Sequence, residues 1–179
     1  GNNMPTTAKK PSTNAPAVKT KPKATPYALQ LLTADHKEVK KLFKDYEKLV
    51  KTDAGEEEKQ ALAEHICLLL TVHAKIEEEI FYPAAGEATK AEDLLKEAVV
   101  EHASAKDLIA QIQDMEPTED LYDAKVTVLG EYIDHHATEE EEELFPKVKR
   151  ASLDLHQLGD AMASRKEELM SELGAEVAA

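Results

Sequence analysis

The segment HAKIEEEIFYP, residues 73–83, has a close counterpart in HATEEEEELFP, residues 136–146. In both segments a glutamate follows the first histidine by four positions and a proline follows it by ten. Side chains four positions apart lie on one face of an α-helix. The sequence therefore predicts two helices that each present a histidine and a glutamate to the same space: His73 with Glu77, and His136 with Glu140.

The repeat continues upstream of both segments. Asp35 and His36 align with Glu101 and His102 at an offset of 66 residues, close to the offset of 63 between the two segments. We interpret the chain as a duplicated helical hairpin, in which each copy supplies one histidine and one His-x-x-x-Glu pair. A pseudo-twofold arrangement of the two copies follows from this duplication.

The second run of glutamates leaves its register partly open. Residues 139–143 are all glutamates, so His135 also has a glutamate four positions later, Glu139. Alignment of the two copies favours His136 and Glu140, because His135 breaks the register. His135 with Glu139, or Glu141 in place of Glu140, remain as alternatives.

Composition favours helix along the body of the chain, because the full sequence has only 6 glycines and is dominated by alanine, leucine, glutamate and lysine. Apolar residues recur at the three- and four-residue spacing of one buried helix face. This pattern predicts an all-α fold: an antiparallel up-down four-helix bundle over residues 26–150, with an additional C-terminal amphipathic helix in residues 151–179. The predicted helices run over about residues 27–50, 56–82, 90–115, 118–144 and 153–173, with Pro26, Pro83, Pro117 and Pro146 at their ends.

Charge divides the chain into two parts. Residues 1–25 carry five lysines and no acid, and the total charge is −14, so the remainder carries −19. The lysine- and proline-rich residues 1–25 are predicted to form a disordered basic tail. The acidic body argues against nucleic acid and anionic lipid as partners, apart from weak contact through this tail. The sequence shows no membrane span and no secretory signal, and its single cysteine fits a reducing compartment, so we expect a cytoplasmic protein.

One histidine interrupts the apolar stripe of each bundle helix: His36, His73, His102 and His136. A buried imidazole without a partner costs about 1–3 kcal/mol. A lone core histidine usually bonds a carbonyl group, but four histidines at inward positions are satisfied together by shared metal. With Glu77 and Glu140 they offer six ligands, too many for one tetrahedral zinc but suited to two octahedral ions bridged by carboxylates.

This ordered set of residues resembles the hemerythrin-like (HHE cation-binding) domains, which are four-helix bundles with a non-haem di-iron site. The resemblance spans about residues 27–147 and includes Phe-Tyr-Pro83 and Leu-Phe-Pro146 after the two His-x-x-x-Glu pairs. It implies two non-haem iron ions with an oxo or hydroxo bridge as the cofactor. The ligands it implies are His36 and His73 to one iron, His102 and His136 to the other, and Glu77 and Glu140 as bridges.

The sequence departs from the oxygen-carrying hemerythrins at Lys106. In those proteins a further histidine follows the third-helix histidine by one turn. Here the third-helix histidine is His102, and the position one turn later is Lys106. Without that further histidine each iron keeps an open position, which points to peroxide or nitric oxide chemistry, including a catalase-like reaction, or to sensing of oxygen or iron. The expected partner is a small diatomic or peroxide ligand rather than reversibly carried oxygen.

Other functions remain as alternatives. One is a metal-free helical module, or one with structural zinc, that has no redox chemistry. Another is a metal-responsive interaction module whose C-terminal helix and basic tail bind a partner. Ferritin-like di-iron bundles are disfavoured, because no acidic residue stands three positions before any histidine.

Three further side chains are predicted to be structural. Tyr46 and Tyr132 lie on inward or flanking faces and can donate hydrogen bonds, but core packing is expected for both. Cys67 lies off the inward stripe and is expected to be an inert buried thiol.

Overall fold

The computed structural model describes residues 25–178, and all regular elements in that range are helical. They are α1 (Tyr27–Lys51), α2 (Glu56–Ile76), α3 (Tyr82–Ala88), α4 (Glu92–Gln113), α5 (Tyr122–Glu139), α6 (Phe145–Arg150) and α7 (Leu155–Ala178). Two π-helical segments, Glu77–Phe81 and Glu140–Leu144, join α2 to α3 and α5 to α6 without a break. Residues 1–24, which make up almost all of the predicted basic tail, lie outside the described residues.

The helices form a closed ring with one helix added outside it. α1 packs against α2 and α5, and α4 packs against the same two helices. These four long helices enclose a common core. α7 lies against α1 and α2. The predicted all-α bundle with an additional C-terminal helix is therefore confirmed. Between residues 25 and 178, no helix combines the length and the apolar character that crossing a membrane requires.

Local sequence explains where the first two helices begin and end. Pro26 precedes α1, at a point where its missing N–H group breaks no helical hydrogen bond. Lys48 and Lys51 place positive charge in the last turn of α1, at the negative end of its helix dipole. The glutamates 56–58 place negative charge in the first turn of α2, at the positive end of its dipole. Between the two helices the chain turns at Asp53, whose φ of 51° is a left-handed conformation that aspartate tolerates better than most residues.

The expectation that Pro83 and Pro146 end their helices is wrong. Both helices continue past the proline, as α3 and α6. A proline inside a regular helix lacks the amide that bonds the carbonyl four residues back, and its ring crowds that carbonyl. Here the preceding π-segment resets the hydrogen-bonding register. Each proline therefore stands in the first turn of the helix that follows, where that bond is not needed.

The core consists of two apolar clusters with a polar layer between them. Along α1, Leu32 belongs to one cluster and Val39 to the other, and the buried His36 lies between them. The buried polar or charged residues of the described range are His36, Glu77, His102, His136 and Glu140. The fold thus concentrates its buried polar groups in one layer at mid-height in the bundle.

α7 approaches α1 closely at Gly159. A β-carbon at this position would lie 2.3 Å from Cδ1 of Tyr27 and 2.9 Å from the backbone nitrogen of Ala28. Only glycine permits this separation, so Gly159 determines where α7 crosses the start of α1. Farther along α7, Met162 and Leu169 are buried in the same apolar cluster as Ala28.

Replacement of Gly159 by alanine tests this contact. We expect Gly159→Ala to lower the free energy of unfolding by about 1–3 kcal/mol, because the methyl group clashes with backbone as well as with the Tyr27 ring. Gly174→Ala is the matched control on the same helix, since a β-carbon there meets nothing within 4 Å. The control should leave stability unchanged or raise it by up to about 1 kcal/mol. Urea denaturation measures the free energy of unfolding of both variants. If Gly159→Ala were as stable as Gly174→Ala, the close packing at Gly159 would be contradicted.

Candidate metal centre

All six residues predicted as ligands meet in the polar layer of the bundle. Their ligand atoms form two groups, and within each group these atoms lie within 4.8 Å of one another. The first group is His36, His73 and Glu140, and the second is Glu77, His102 and His136. The histidines pair as the sequence resemblance implies, although their role as ligands stays a prediction. Glu77 has no exposed surface, and the other five residues are buried or nearly so.

Both glutamates contact both groups. Glu77 Oε1 lies 2.9 Å from His73 Nε2 and 3.4 Å from His102 Nε2. Glu140 Oε1 lies 3.4 Å from His36 Nε2, and its Oε2 lies 3.3 Å from His136 Nε2. Each carboxylate therefore faces one histidine of either group, which is the arrangement that a bridge between two cations needs.

Further carboxylates hold the opposite edges of two imidazoles. Asp35 Oδ2 accepts a hydrogen bond from His73 Nδ1 at 2.8 Å, and Glu101 Oε2 accepts one from His136 Nδ1 at 2.6 Å. The two acids occupy equivalent positions in the internal repeat. Because an ionised carboxylate only accepts hydrogen bonds, Nδ1 must donate, and Nε2 is the nitrogen that faces the centre.

The remaining two imidazoles face acids from the glutamate runs. Glu141 Oε1 lies 3.2 Å from His36 Nδ1, and Glu78 Oε1 lies 4.0 Å from His102 Nδ1. Glu78 also accepts a hydrogen bond from Lys106. Every imidazole of the centre thus has an inner carboxylate near Nε2 and an outer carboxylate on the side of Nδ1.

The π-segments decide which side chains enter the centre. Each begins at a glutamate of the site, Glu77 or Glu140. A π-turn bonds residues five positions apart, so side chains at that spacing come onto one face, which regular α-helical geometry does not allow. Tyr82, five positions after Glu77, is thereby turned into the site.

Tyr82 is a member of the centre that the sequence analysis missed. Its hydroxyl donates to Glu140 Oε2 at 2.6 Å and lies 3.2 Å from Nε2 of both His102 and His136. The motif Phe-Tyr-Pro83 contains this tyrosine, but regular α-helical spacing turns its side chain away from the Glu77 face. Regular helical spacing carries no signal for this tyrosine, because its inward position depends on the π-turn.

The two halves of the repeat differ at this position. Phe145 is the counterpart of Tyr82, because each stands nine residues after its histidine, His136 or His73. The Phe145 ring stacks on His36 at a centroid distance of 6.3 Å and an interplanar angle of 9°. The second ligand group therefore has a phenol beside it, whereas the first has a phenyl ring that neither binds a cation through oxygen nor donates a proton.

Buried charges shift the pKa values of the centre. Burial disfavours the imidazolium forms of His73 and His136, but the neighbouring carboxylates outweigh this and raise both pKa values, that of His136 to about 9. Burial also opposes the charge of Glu77, but the positive charge of the adjacent His73 holds the pKa of Glu77 well below its usual range. Burial, together with the charges of Glu77 and Glu140, raises the pKa of Tyr82, so its hydroxyl keeps its proton.

Buried atoms without hydrogen-bond partners show that a cation fits this space. Within the described residues, these atoms include Nε2 of His36, Nε2 of His73, both carboxylate oxygens of Glu77 and Oε1 of Glu140. An unsatisfied buried polar atom costs about 1–3 kcal/mol, so several of them around one space need a common partner. Imidazole nitrogens and carboxylate oxygens are the donors that first-row transition metals accept. The residues present therefore fit a metal ion.

The structure places the alternative residues of the second glutamate run on different helix faces. His136 and Glu140 point inward, whereas the alternative His135 has a side chain that is 76% exposed and lies 3.5 Å from Glu139. Glu141 is partly exposed and contacts the outer edge of an imidazole rather than the centre. The structure therefore has the register that the internal repeat favours.

The three side chains predicted to be structural divide into two that are buried and one that is not. Tyr46 and Cys67 are buried in the core, and Tyr46 donates a hydrogen bond to Asp123 at 2.6 Å. Burial raises the pKa of the Cys67 thiol to about 12, which keeps it unreactive at neutral pH. The core position predicted for Tyr132 is wrong, because the residue lies on the outer flank of α5 and is 51% exposed.

The bundle and its polar layer define a class of protein: four-helix bundles that hold a cation site of histidines and carboxylates in their middle layer. A sequence profile for the Hemerythrin HHE cation binding domain matches residues 27–148, which is more than half of the chain. The protein therefore belongs to the hemerythrin HHE cation-binding domain family. α7 lies beyond the matched residues.

Mycobacterial proteins are similar to this chain in sequence and in structure. The uncharacterized proteins Rv2633c of Mycobacterium tuberculosis and Mb2666c of Mycobacterium bovis are each 27% identical over 125 residues, which cover 68% of this chain and 76% of theirs. A Rv2633c homolog from Mycobacterium kansasii has a crystal structure described as that of a hemerythrin HHE cation binding domain-containing protein. It matches with a TM-score of 0.66 and 26% sequence identity over 80% of this chain and 86% of that chain.

The raised pKa of His136 predicts how stability depends on pH when no metal is bound. A group whose pKa is higher in the folded state stabilises the fold fully below its unfolded pKa of 6.5, and this contribution is lost as the pH rises through about 9. We expect the contribution of His136 to the free energy of unfolding to fall over this range by up to about 3 kcal/mol. Urea denaturation with a chelator present measures it as the difference between the unmodified chain and His136→Gln.

Two variants control this measurement. His136→Gln should remove the part of the fall that comes from His136, because the amide does not titrate, and leave the part that comes from His73, whose pKa is also raised. His135→Gln changes an exposed neighbour and should preserve the whole fall. A stability that rises between pH 6.5 and 9 would contradict a protonated His136 in the folded chain.

Proposed function

We propose that the protein holds two non-haem iron ions in its polar layer and uses them to react with, or to sense, peroxide or nitric oxide. The observation that carries this proposal is the pair of ligand groups in which Glu77 and Glu140 each face a histidine of either group. Two carboxylate-bridged ions use such a set fully, whereas one tetrahedral zinc takes only four ligands. Iron accepts mixed imidazole and carboxylate donors.

The two ions would have different surroundings. His36 and His73 would hold one ion and His102 and His136 the other, with the glutamates between them. Tyr82 is a further candidate ligand, or hydrogen-bond donor, on the side of the second ion, since its oxygen lies 3.2 Å from Nε2 of both histidines there. We infer that a small ligand meets two inequivalent positions.

Two bound iron ions would supply the capacity to exchange electrons with a small ligand. The residues of the chain orient the imidazoles, place a hydroxyl group at the centre and exclude water. Asp35 and Glu101 orient two of the imidazoles through their Nδ1 hydrogen bonds. Tyr82 keeps the proton on its hydroxyl oxygen, in contact with Glu140, so that its O–H group can donate a hydrogen bond to a ligand. The apolar clusters on either side of the polar layer exclude bulk water.

Lys106 supports peroxide or nitric oxide chemistry over reversible oxygen carriage. It stands where the oxygen carriers have a further histidine, and its amino group bonds the outer Glu78 instead of entering the centre. An ion held by His102 and His136 would therefore receive no further histidine from this position. The single cysteine, which is buried and unpaired by disulfide, supports a reducing, cytoplasmic location.

A second candidate function is a metal-responsive interaction module, which a link between α7 and the centre favours. Lys166 Nζ donates to Asp35 Oδ1 at 2.6 Å, and Asp35 Oδ2 accepts the hydrogen bond of His73. These two hydrogen bonds would transmit to α7 a change of charge at His73 when a cation binds. Because α7 lies outside the family match, this response would be additional to the shared domain.

Metal content and absorbance of the purified protein test the di-iron proposal. We expect two iron ions per chain and an oxo-to-iron charge-transfer band that peroxide or nitric oxide shifts or bleaches. Glu140→Gln should weaken iron binding by at least about tenfold, because a neutral amide is a poor bridge between cations. Glu142→Gln is the matched control, since it changes an exposed glutamate of the same run.

Two results would overturn this proposal at different levels. Stable, reversible oxygen binding by the reduced protein would contradict the proposed chemistry. Protein that holds one zinc, or that shows no metal-dependent absorption, would contradict the di-iron centre itself.

Lys166→Met tests the link from α7. We expect one of the two ions to bind about three- to tenfold more weakly, because Asp35 loses a partner and orients His73 less firmly. Arg165→Met is the matched control, since Arg165 is the adjacent cation of α7 and bonds the exposed Glu79 instead. Competition with a chelator measures the affinities, and equal effects of the two variants would show that α7 is not coupled to the centre.

A further inference from the structure

A cavity of about 270 Å³ reaches the centre from the histidine side. Five histidines line it, the four of the centre (His36, His73, His102 and His136) and the exposed His135, whereas Glu77, Glu140 and Tyr82 do not. The rest of its wall is largely aliphatic and comes from α1, α2, α4 and α5, with Val39, Leu70, Ala105, Ile109 and Ile133 among the lining residues. A molecule in this cavity would touch the imidazoles at one end and hydrocarbon along its length.

The cavity offers no free charge among its described lining residues. Each charged side chain on its wall is already paired: Asp35 with His73 and Lys166, Glu101 with His136, and Lys106 with Glu78. Two apolar or aromatic residues of the wall also reach the surface, since Val100 is 67% exposed and Tyr132 is 51% exposed. An uncharged ligand with an apolar surface suits this entrance and this wall.

The volume is too large for the ligands of a di-iron centre alone. A water molecule occupies about 30 Å³ of liquid, and hydrogen peroxide or nitric oxide is only slightly larger than that. An apolar protein cavity of about 150 Å³ remains dry and binds benzene. The present cavity, at about 270 Å³, is nearly twice that size, and its aliphatic wall disfavours filling by water.

We propose that this cavity binds a neutral organic molecule with an apolar body of about six to nine carbon atoms and one small oxygen-bearing head directed at the imidazoles. Alkyl and aryl hydroperoxides have this chemistry, and so do the alcohols of the same carbon skeleton. As a statement about the substrate of the centre, this inference rests on the proposed di-iron function. As a statement about a binding site, it rests on the cavity alone.

An unreactive alcohol tests the binding site without any metal. The probe is 2-phenyl-2-propanol, which has the skeleton of cumene hydroperoxide, titrated into the full chain with a chelator present and followed by NMR chemical shifts. We expect saturable binding with shift changes at Leu70, Ile109 and Ile133. Ile109→Phe should weaken it by at least about tenfold, because the ring fills the cavity two helical turns away from His102.

Further variants keep this test decisive. Leu70→Phe fills the same cavity from α2 if Ile109→Phe does not fold. Val128→Phe is the matched control, because it adds the same bulk at an exposed position of α5 outside the cavity wall, and it should bind as the unmodified chain does. Absence of saturable binding, or equal binding by the cavity-filling and control variants, would overturn the proposal.

A second experiment, on iron-loaded protein, distinguishes failure of this inference from failure of the proposed function. In iron-loaded protein we expect cumene hydroperoxide to change the metal absorbance, and the ratio of its effect to that of hydrogen peroxide to fall about tenfold in Ile109→Phe but not in Val128→Phe. An unchanged ratio would overturn the assignment of organic hydroperoxides as substrates. If the protein takes up no iron, the proposed function fails, while the alcohol titration still decides the binding site.

Discussion

Burial of two glutamates in the middle of a helical bundle is the constraint on which the rest of the structure depends. A carboxylate transferred from water into an apolar core without partners costs more than the whole margin of stability of a typical domain. Glu77 and Glu140 are tolerated because imidazoles surround them, and those imidazoles are held in turn by carboxylates on their outer edges. Charge of alternating sign therefore extends from the centre outward, and the two apolar clusters close the layer on either side.

The internal repeat assembles the centre, and departures from the repeat make its two halves different. Equivalent acids bond equivalent histidines in the two copies, which gives the layer its approximate twofold character. Tyr82 and Phe145 break this equivalence inside the centre, because only one of them carries a hydroxyl. Lys166 breaks the equivalence outside the centre, because this lysine of α7 donates a hydrogen bond to Asp35. Any ligand that reaches the centre therefore meets one half with a hydrogen-bond donor and another half with a purely apolar neighbour.

Helical spacing explains why so much could be predicted from the sequence. The four inward histidines and the two His-x-x-x-Glu pairs are visible because regular helices place residues by a fixed period. The π-segments could not be predicted in this way, since a proline after a glutamate run looks the same at a helix end and after a π-turn. The error at Pro83 and the omission of Tyr82 have this one cause. The contact of Lys166 with Asp35 depends on where α7 crosses α1, which an amphipathic pattern alone does not specify.

The raised pKa values of His73 and His136 have a consequence for how the protein matures. One proton on each of these histidines places a positive charge beside a buried glutamate, so the newly made chain can fold with protons standing in for a cation. Filling of the centre is then an exchange, in which protons leave as the cation enters. Acidification drives this exchange in the opposite direction. A cation held in the polar layer at neutral pH would therefore be released in acid.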